Sequence, residues 1–153
     1  MHYRGLLALV VVAAGCTFGI ANAQEMGKSV IASPNAPAAI GPYSQAIQAG
    51  KTVYLSGQIA IDPKTKQLIP DASIEDQTKR VLENLKAVLA ADGMTLDNVV
   101  STTVYMKDLN DFGKVNEVYA TFFTSAPPAR ATVEVARLPK DAKIEISAIA
   151  VHP

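Results

Sequence analysis

PPARATVEVARLPKDAKIEISAIAV, residues 127–151, is the stretch from which the fold is read. Thr132 to Arg137 alternates, with Val133 and Val135 on one face and Thr132, Glu134 and Ala136 on the other. Ile144 to Val151 alternates again, and its first polar member is Glu145. Between them, Leu138-Pro139-Lys140-Asp141 is rich in turn formers, so the pattern predicts two strands paired antiparallel. Arg130 stands just ahead of the first strand, behind Pro127 and Pro128, which fix the backbone φ and restrict the residues before them. An arginine at a stiff strand entrance and a glutamate on a neighbouring strand can face one small volume. Charged side chains are mostly exposed, so the pattern alone favours a surface Arg130 and an outward Glu145.

Upstream, the spacing predicts two helices. Ser73 is a good N-cap, Glu75 and Asp76 supply first-turn negative charge, and Val81, Leu82, Leu85, Val88 and Leu89 recur at helical spacing until Gly93. Asp111 to Phe123 forms the second, with Val115, Val118, Tyr119, Phe122 and Phe123 on one face and Asn116 on or near the polar side. Val99 to Tyr105 is β-branched and strand-like. Ala46 to Gln48 and Thr52 to Gln58 read as strands joined at Ala49-Gly50-Lys51. Gly57, near the end of the latter, marks a bulge or a close approach to the backbone, where its N–H can hold a carboxylate oxygen; a glycine needed for packing fits as well. Tyr43 follows the Gly41-Pro42 turn, and a tyrosine packed at a strand start is the plain alternative to a site residue. Ser33 to Gly41 reads as an irregular loop and Gln24 to Lys28 as a loose lead-in.

Residues 1–23 read as a signal peptide: Arg4, an apolar run from Leu6 to Ile20, and the small-x-small site Ala21-Asn22-Ala23. The run is too short for a good membrane anchor, which predicts a periplasmic or secreted protein with no membrane attachment after cleavage. Cys16 behind Ala13-Ala14-Gly15 is a weak lipoprotein site. Cleavage removes the sole cysteine and His2, leaving His152, so Cys/His zinc sites, thiol nucleophiles and Ser-His-Asp triads lose their side chains. Removal of Arg4 leaves 13 basic against 14 acidic side chains, a balance with no electrostatic footprint for nucleic acid. Gln24 to Pro153 is the length of one domain with a single core.

The order of elements, β-β-β-α-β-α-β-β, predicts an α+β sandwich with both helices on one face of a mixed sheet. The other face carries Val, Ile and Ala and is left open, which argues for self-association.

Five separated blocks carry a resemblance. IGPYSQA at 40–46, VYLSGQI at 53–59, VLENLKAVL at 81–89, DLNDFGKVNEVY at 108–119 and PARATVEVARLPKDAKIEI at 128–146 resemble, in order and spacing, the Rid (YjgF) family of reactive-intermediate deaminases. The resemblance implies a chorismate-mutase-like fold, a homotrimer and sites in the clefts between subunits. It also implies hydrolysis of 2-imino and enamino acids to 2-oxo acids and ammonia, without metal or cofactor. Arg130 would bind the substrate carboxylate, Glu145 would act with the water, and Tyr43, Gly57, Asn116 and Thr132 would line the pocket, Thr132 through its backbone N–H. Thr132 stands where relatives often have cysteine. The link from Phe123 to Arg130, TSAPPA, is shorter than in relatives and lacks their aromatic.

The residue chemistry is compatible with that activity. Arg130 can hold a carboxylate by two parallel N–H···O bonds, and Glu145 can position a water and relay a proton. The rival expectation is a non-catalytic periplasmic binder of small carboxylates using Arg130 as a clamp. A ribonuclease fits poorly with the neutral charge.

Overall fold

The computed structural model describes residues 27–69 and 71–153. The expected signal peptide and Cys16 lie outside the described residues. Eight main elements follow in chain order: β1 (Lys28–Ile31), β2 (Ala46–Ala49), β3 (Thr52–Gln58), α1 (Ile74–Ala90), β4 (Val99–Met106), α2 (Phe112–Phe122), β5 (Ala129–Glu134) and β6 (Ile144–Val151). They form one six-stranded sheet in the order β1-β2-β3-β6-β4-β5. Every neighbouring pair is antiparallel except β4 and β5, which run parallel across the α2 crossover. The architecture is the expected α+β, chorismate-mutase-like arrangement of strands and helices.

Local chemistry explains the helix limits. The Ser73 hydroxyl accepts the Asp76 N–H at 3.0 Å, satisfying one of the unpaired donors at the start of α1. Just past the other end, Gly93 takes φ +68°, a left-handed conformation that suits glycine. Val81, Leu82, Leu85, Val88 and Leu89 are buried against the sheet, as their spacing predicts. Each such side chain contributes about 1.5–3 kcal/mol through its removal from water. Along β6, Ile144, Ile146, Ala148 and Ala150 are buried on the same helix-covered side.

Three expectations need correction. β5 and β6 do not form a hairpin, because β4 lies between them and pairs with both. Local alternation identifies a strand but not its partner. Here the fully alternating burial of β6 suits a central position, while the largely exposed β5 takes the edge. β5 also begins at Ala129 rather than Thr132, since pairing with β4 runs from Ser101 opposite Ala129 to Met106 opposite Glu134. Arg130 is thus inside a strand. Finally, Lys28 is not lead-in but the first residue of β1, paired with Ala49.

The sheet face away from the helices is open among the described residues. Val30, Ile47, Tyr54 and Ile149 follow one another across β1, β2, β3 and β6 on that face, and Val133 stands on it in β5. Val30 is 64% exposed, Tyr54 51% and Val133 42%.

Candidate active site

The site residues fall into two groups on opposite faces of the sheet. Arg130 is opposite Thr102 of β4, which is opposite Ala148 of β6, on the helix side. Glu145 is opposite Tyr105, which is opposite Val133, on the open side. The odd offset between Ala148 and Glu145 separates the faces, because side chains alternate along a strand. Within one chain, Arg130 and Glu145 therefore do not share a volume, contrary to the simplest reading of the sequence.

The Glu145 group is built on a β-bulge. Leu55 pairs with Ala148 and Gln58 with Ile146, so Ser56 and Gly57 together face Ser147. Bulges re-aim strand residues, and this one leaves the glycine bare beneath the Glu145 side chain. A Cβ built on Gly57 would lie 2.7 Å from the Glu145 carboxyl carbon. Both readings of Gly57, bulge and close approach, hold together. Tyr43, Gly57 and Glu145, with Ile40, Ile59 and Pro139, line a cavity of about 320 Å³.

Two devices hold the cavity walls. The buried Gln45 side chain accepts the Ser33 N–H at 2.6 Å and donates to the Ser33 and Pro37 carbonyls at 3.2 and 2.7 Å. It ties down the irregular loop ahead of Tyr43, whose hydroxyl accepts the Ile40 N–H at 3.2 Å. On the other side, Lys140 and Asp141 both have φ 56°, and Arg137 grips the Asp141 carboxylate at 2.9 and 3.3 Å across the turn that carries Pro139. The hydrogen bond from Arg137, followed by its charge, lowers the Asp141 pKa.

Glu145 is half-buried, and that burial raises its carboxyl above the ordinary 4.5. Among the described residues none donates a hydrogen bond to it. A carboxylate in this state takes up a proton more readily than one in water, as a general base must.

The Arg130 group lies against α2. Phe112, Asn116, Tyr119 and Phe123 project from one side of that helical segment at helical spacing. Arg130 donates from Nη2 to the Asn116 Oδ1 at 2.7 Å, and its Cζ stands 4.7 Å from the Tyr119 ring centre and 5.7 Å from that of Phe112. Asn116, read from sequence only as near the polar side of the helix, is half-buried and bonded to the arginine. Thr132 is half-buried two residues beyond Arg130 in β5, opposite Val104.

Sequence reasoning missed Ile40, Ile59 and Pro139 in the cavity, and Phe112 and Tyr119 beside the arginine. Tyr119 was legible as part of the apolar helix stripe, but a stripe does not reveal a cation resting on it.

Comparison with known proteins places the fold in a family. Residues 33–152 match the family described as Endoribonuclease L-PSP. A RutC family protein of Pyrococcus horikoshii is 58% identical over 123 residues, covering 80% of this chain and 97% of that one. A 2-iminobutanoate/2-iminopropanoate deaminase of Salmonella typhimurium is 55% identical over 125 residues, covering 80% of this chain and 96% of that one. The crystal structure of the YjgF gene product of E. coli superposes with a TM-score of 0.78 at 50% identity, covering 82% of this chain and 99% of that one. The chain belongs to the Endoribonuclease L-PSP family, the Rid (YjgF) proteins anticipated from its sequence blocks.

Proposed function

We propose that this protein is a deaminase of 2-imino and enamino acids, releasing 2-oxo acids and ammonia. The observation that carries the reading is the half-buried Glu145 carboxyl, shifted toward proton uptake and seated over Gly57 inside a cavity. The name of the Salmonella relative supports it. Arg130 anchors the substrate carboxylate through a two-pronged contact that a lysine does not reproduce. Glu145 orients a water and accepts its proton as the water oxygen bonds to the imine carbon. The C=N π pair moves to nitrogen, which takes one proton back through Glu145 and a second from the new hydroxyl; the C–N bond then breaks and ammonia leaves as the carbonyl forms. Imines already hydrolyse in water, so positioning supplies enough barrier lowering, and the scheme calls for no metal or cofactor.

Because Arg130 and Glu145 occupy opposite faces, the complete site in this reading needs two copies of the chain. A homotrimer that covers the open face, with Arg130 from one subunit meeting Tyr43, Gly57 and Glu145 of its neighbour, satisfies both needs. The location we propose is the periplasm or the exterior, after cleavage behind Ala23. Intact mass of periplasmic material beginning at Gln24 is the expected result; a lipid-modified Cys16 overturns it.

Ammonia release from freshly generated 2-iminobutanoate and 2-iminopropanoate tests the activity. Release faster than in buffer is expected. Binding of 2-oxobutyrate without accelerated release would overturn it in favour of a carboxylate-binding protein.

A further inference from the structure

We infer that Phe112 and Tyr119 are positioning residues that hold the Arg130 guanidinium for anion capture while leaving its charge unneutralised. The inference rests on the proposed role of Arg130 as carboxylate anchor and adds the residues through which that role is set.

No carboxylate among the described residues pairs with Arg130; Asn116 offers a neutral amide oxygen, and the rings of Phe112 and Tyr119 stand beside an otherwise exposed guanidinium. A ring face attracts a guanidinium through its quadrupole and adds no formal negative charge. An acidic partner would hold the same group equally still, but it would compete with an incoming carboxylate. One N–H of Nη2 is used on Asn116, and the remaining guanidinium donors keep the planar fork that fits a carboxylate.

The Tyr119 ring is itself fixed. Tyr119 is buried, its hydroxyl pairs with that of Thr102 at 2.8 Å, and its ring lies 4.5 Å from that of Phe123 at 32°. Thr102, only 2% exposed, is also the β4 residue directly opposite Arg130. The strand register that places the arginine thus also anchors the ring beneath it. Phe112, at the start of the same helix, is 40% exposed.

The test measures 2-oxobutyrate affinity by calorimetry for Phe112→Leu, Tyr119→Leu and Tyr119→Phe, each alone and combined with Arg130→Ala. Phe112→Leu is expected to raise Kd about two- to fivefold, the range of an exposed cation–π contact. Tyr119→Leu should do at least as much, and Tyr119→Phe, which keeps the ring, should restore Kd to within about twofold of wild type. With Arg130→Ala present, Phe112→Leu should have no further effect, a coupling that a merely structural role would not produce. The surface position of Phe112 keeps the test available if Tyr119→Leu does not fold. An unchanged Kd for Phe112→Leu, or an equal loss with and without Arg130, overturns the inference. If Arg130→Ala alone binds 2-oxobutyrate as wild type does, the anchor reading itself falls, and that arm shows it independently of the aromatic variants.

Discussion

Glu145 lies across Gly57 so closely that a side chain on the glycine and the glutamate in its present position exclude each other: a Cβ there would stand 2.7 Å from the Glu145 carboxyl carbon. The crowded group is the end of a flexible side chain, so the backbone can stay while the carboxylate swings away. Gly57→Ala should therefore leave the fold intact and lower kcat. Misplacing a general base forfeits up to about 10²–10⁴-fold, and a loss of at least about tenfold is expected. In a Glu145→Gln background the same substitution should cost little, because the group it displaces is already disabled. Equal losses in both backgrounds would show that Gly57 acts through something other than Glu145.

Burial raises the Glu145 pKa, so the folded protein binds this proton more tightly than the unfolded chain does. An ionised Glu145 then opposes folding. The penalty is absent below the ordinary value of 4.5, grows as pH rises toward the raised value, and is fully present above it. Glu145→Gln should consequently melt at a higher temperature relative to wild type at pH 7.5 than at pH 4. Thermal melts of both proteins at the two pH values decide the matter, and a difference independent of pH would contradict the burial argument. The acid limb of kcat/KM should likewise lie above the ordinary glutamate range.

Arg130 and Glu145 should fail in different ways. Arg130→Ala removes a charge-assisted contact worth roughly 1.5–3 kcal/mol, so 2-oxobutyrate affinity should drop on the order of tenfold to a hundredfold. Arg130→Lys should recover only part of this, since it keeps the charge but loses the fork. Glu145→Gln should bind product nearly as wild type does and turn over poorly. Calorimetry paired with ammonia release separates the two patterns, and normal turnover by Glu145→Gln would remove it from the mechanism.

Much of this was legible in the chain. The Leu82-Leu85-Leu89 stripe, the Ser73 cap and the alternation of Ile144 to Val151 are local signals, and the elements they predict are present. Gly57 signalled a bulge or a close approach, with a packing glycine left open, and the register shift between Leu55 and Gln58 shows the bulge. The pairing of β5 was not legible, since the same alternation serves a hairpin or a crossover, and only the burial of β6 between β3 and β4 decides. The separation of Arg130 from Glu145 follows from that pairing and was hidden for the same reason. The Arg130–Tyr119 contact joins two elements whose sequence patterns separately suggested an exposed charge and a core stripe.

The open sheet face should be an interface. Tyr54 and Val133, exposed there in the single chain, should become buried in the assembly. Light scattering of wild type should give a trimer at micromolar concentration, whereas Tyr54→Asp should shift it toward monomer by placing a charge in an apolar contact. A monomeric wild type would remove both the assembly and any site shared between copies.

The strongest test of a shared site uses two inactive proteins. Arg130→Ala copies keep Glu145, and Glu145→Gln copies keep Arg130. If each site takes its arginine from one subunit and its glutamate from the next, a mixed trimer contains junctions where both residues are intact. Random one-to-one assembly makes about one site in four of this kind, because each half must come from the right parent. Co-expressed or co-refolded mixtures should therefore regain roughly a quarter of wild-type ammonia release, while either variant alone stays low. Simple mixing of pre-formed trimers should give little until subunits exchange. The opposite faces of Arg130 and Glu145 motivate this expectation, since no side-chain rotation carries either group through the sheet. Activity in the mixture no higher than the average of its parents would mean that each chain builds its site alone, or that the two residues do not act together.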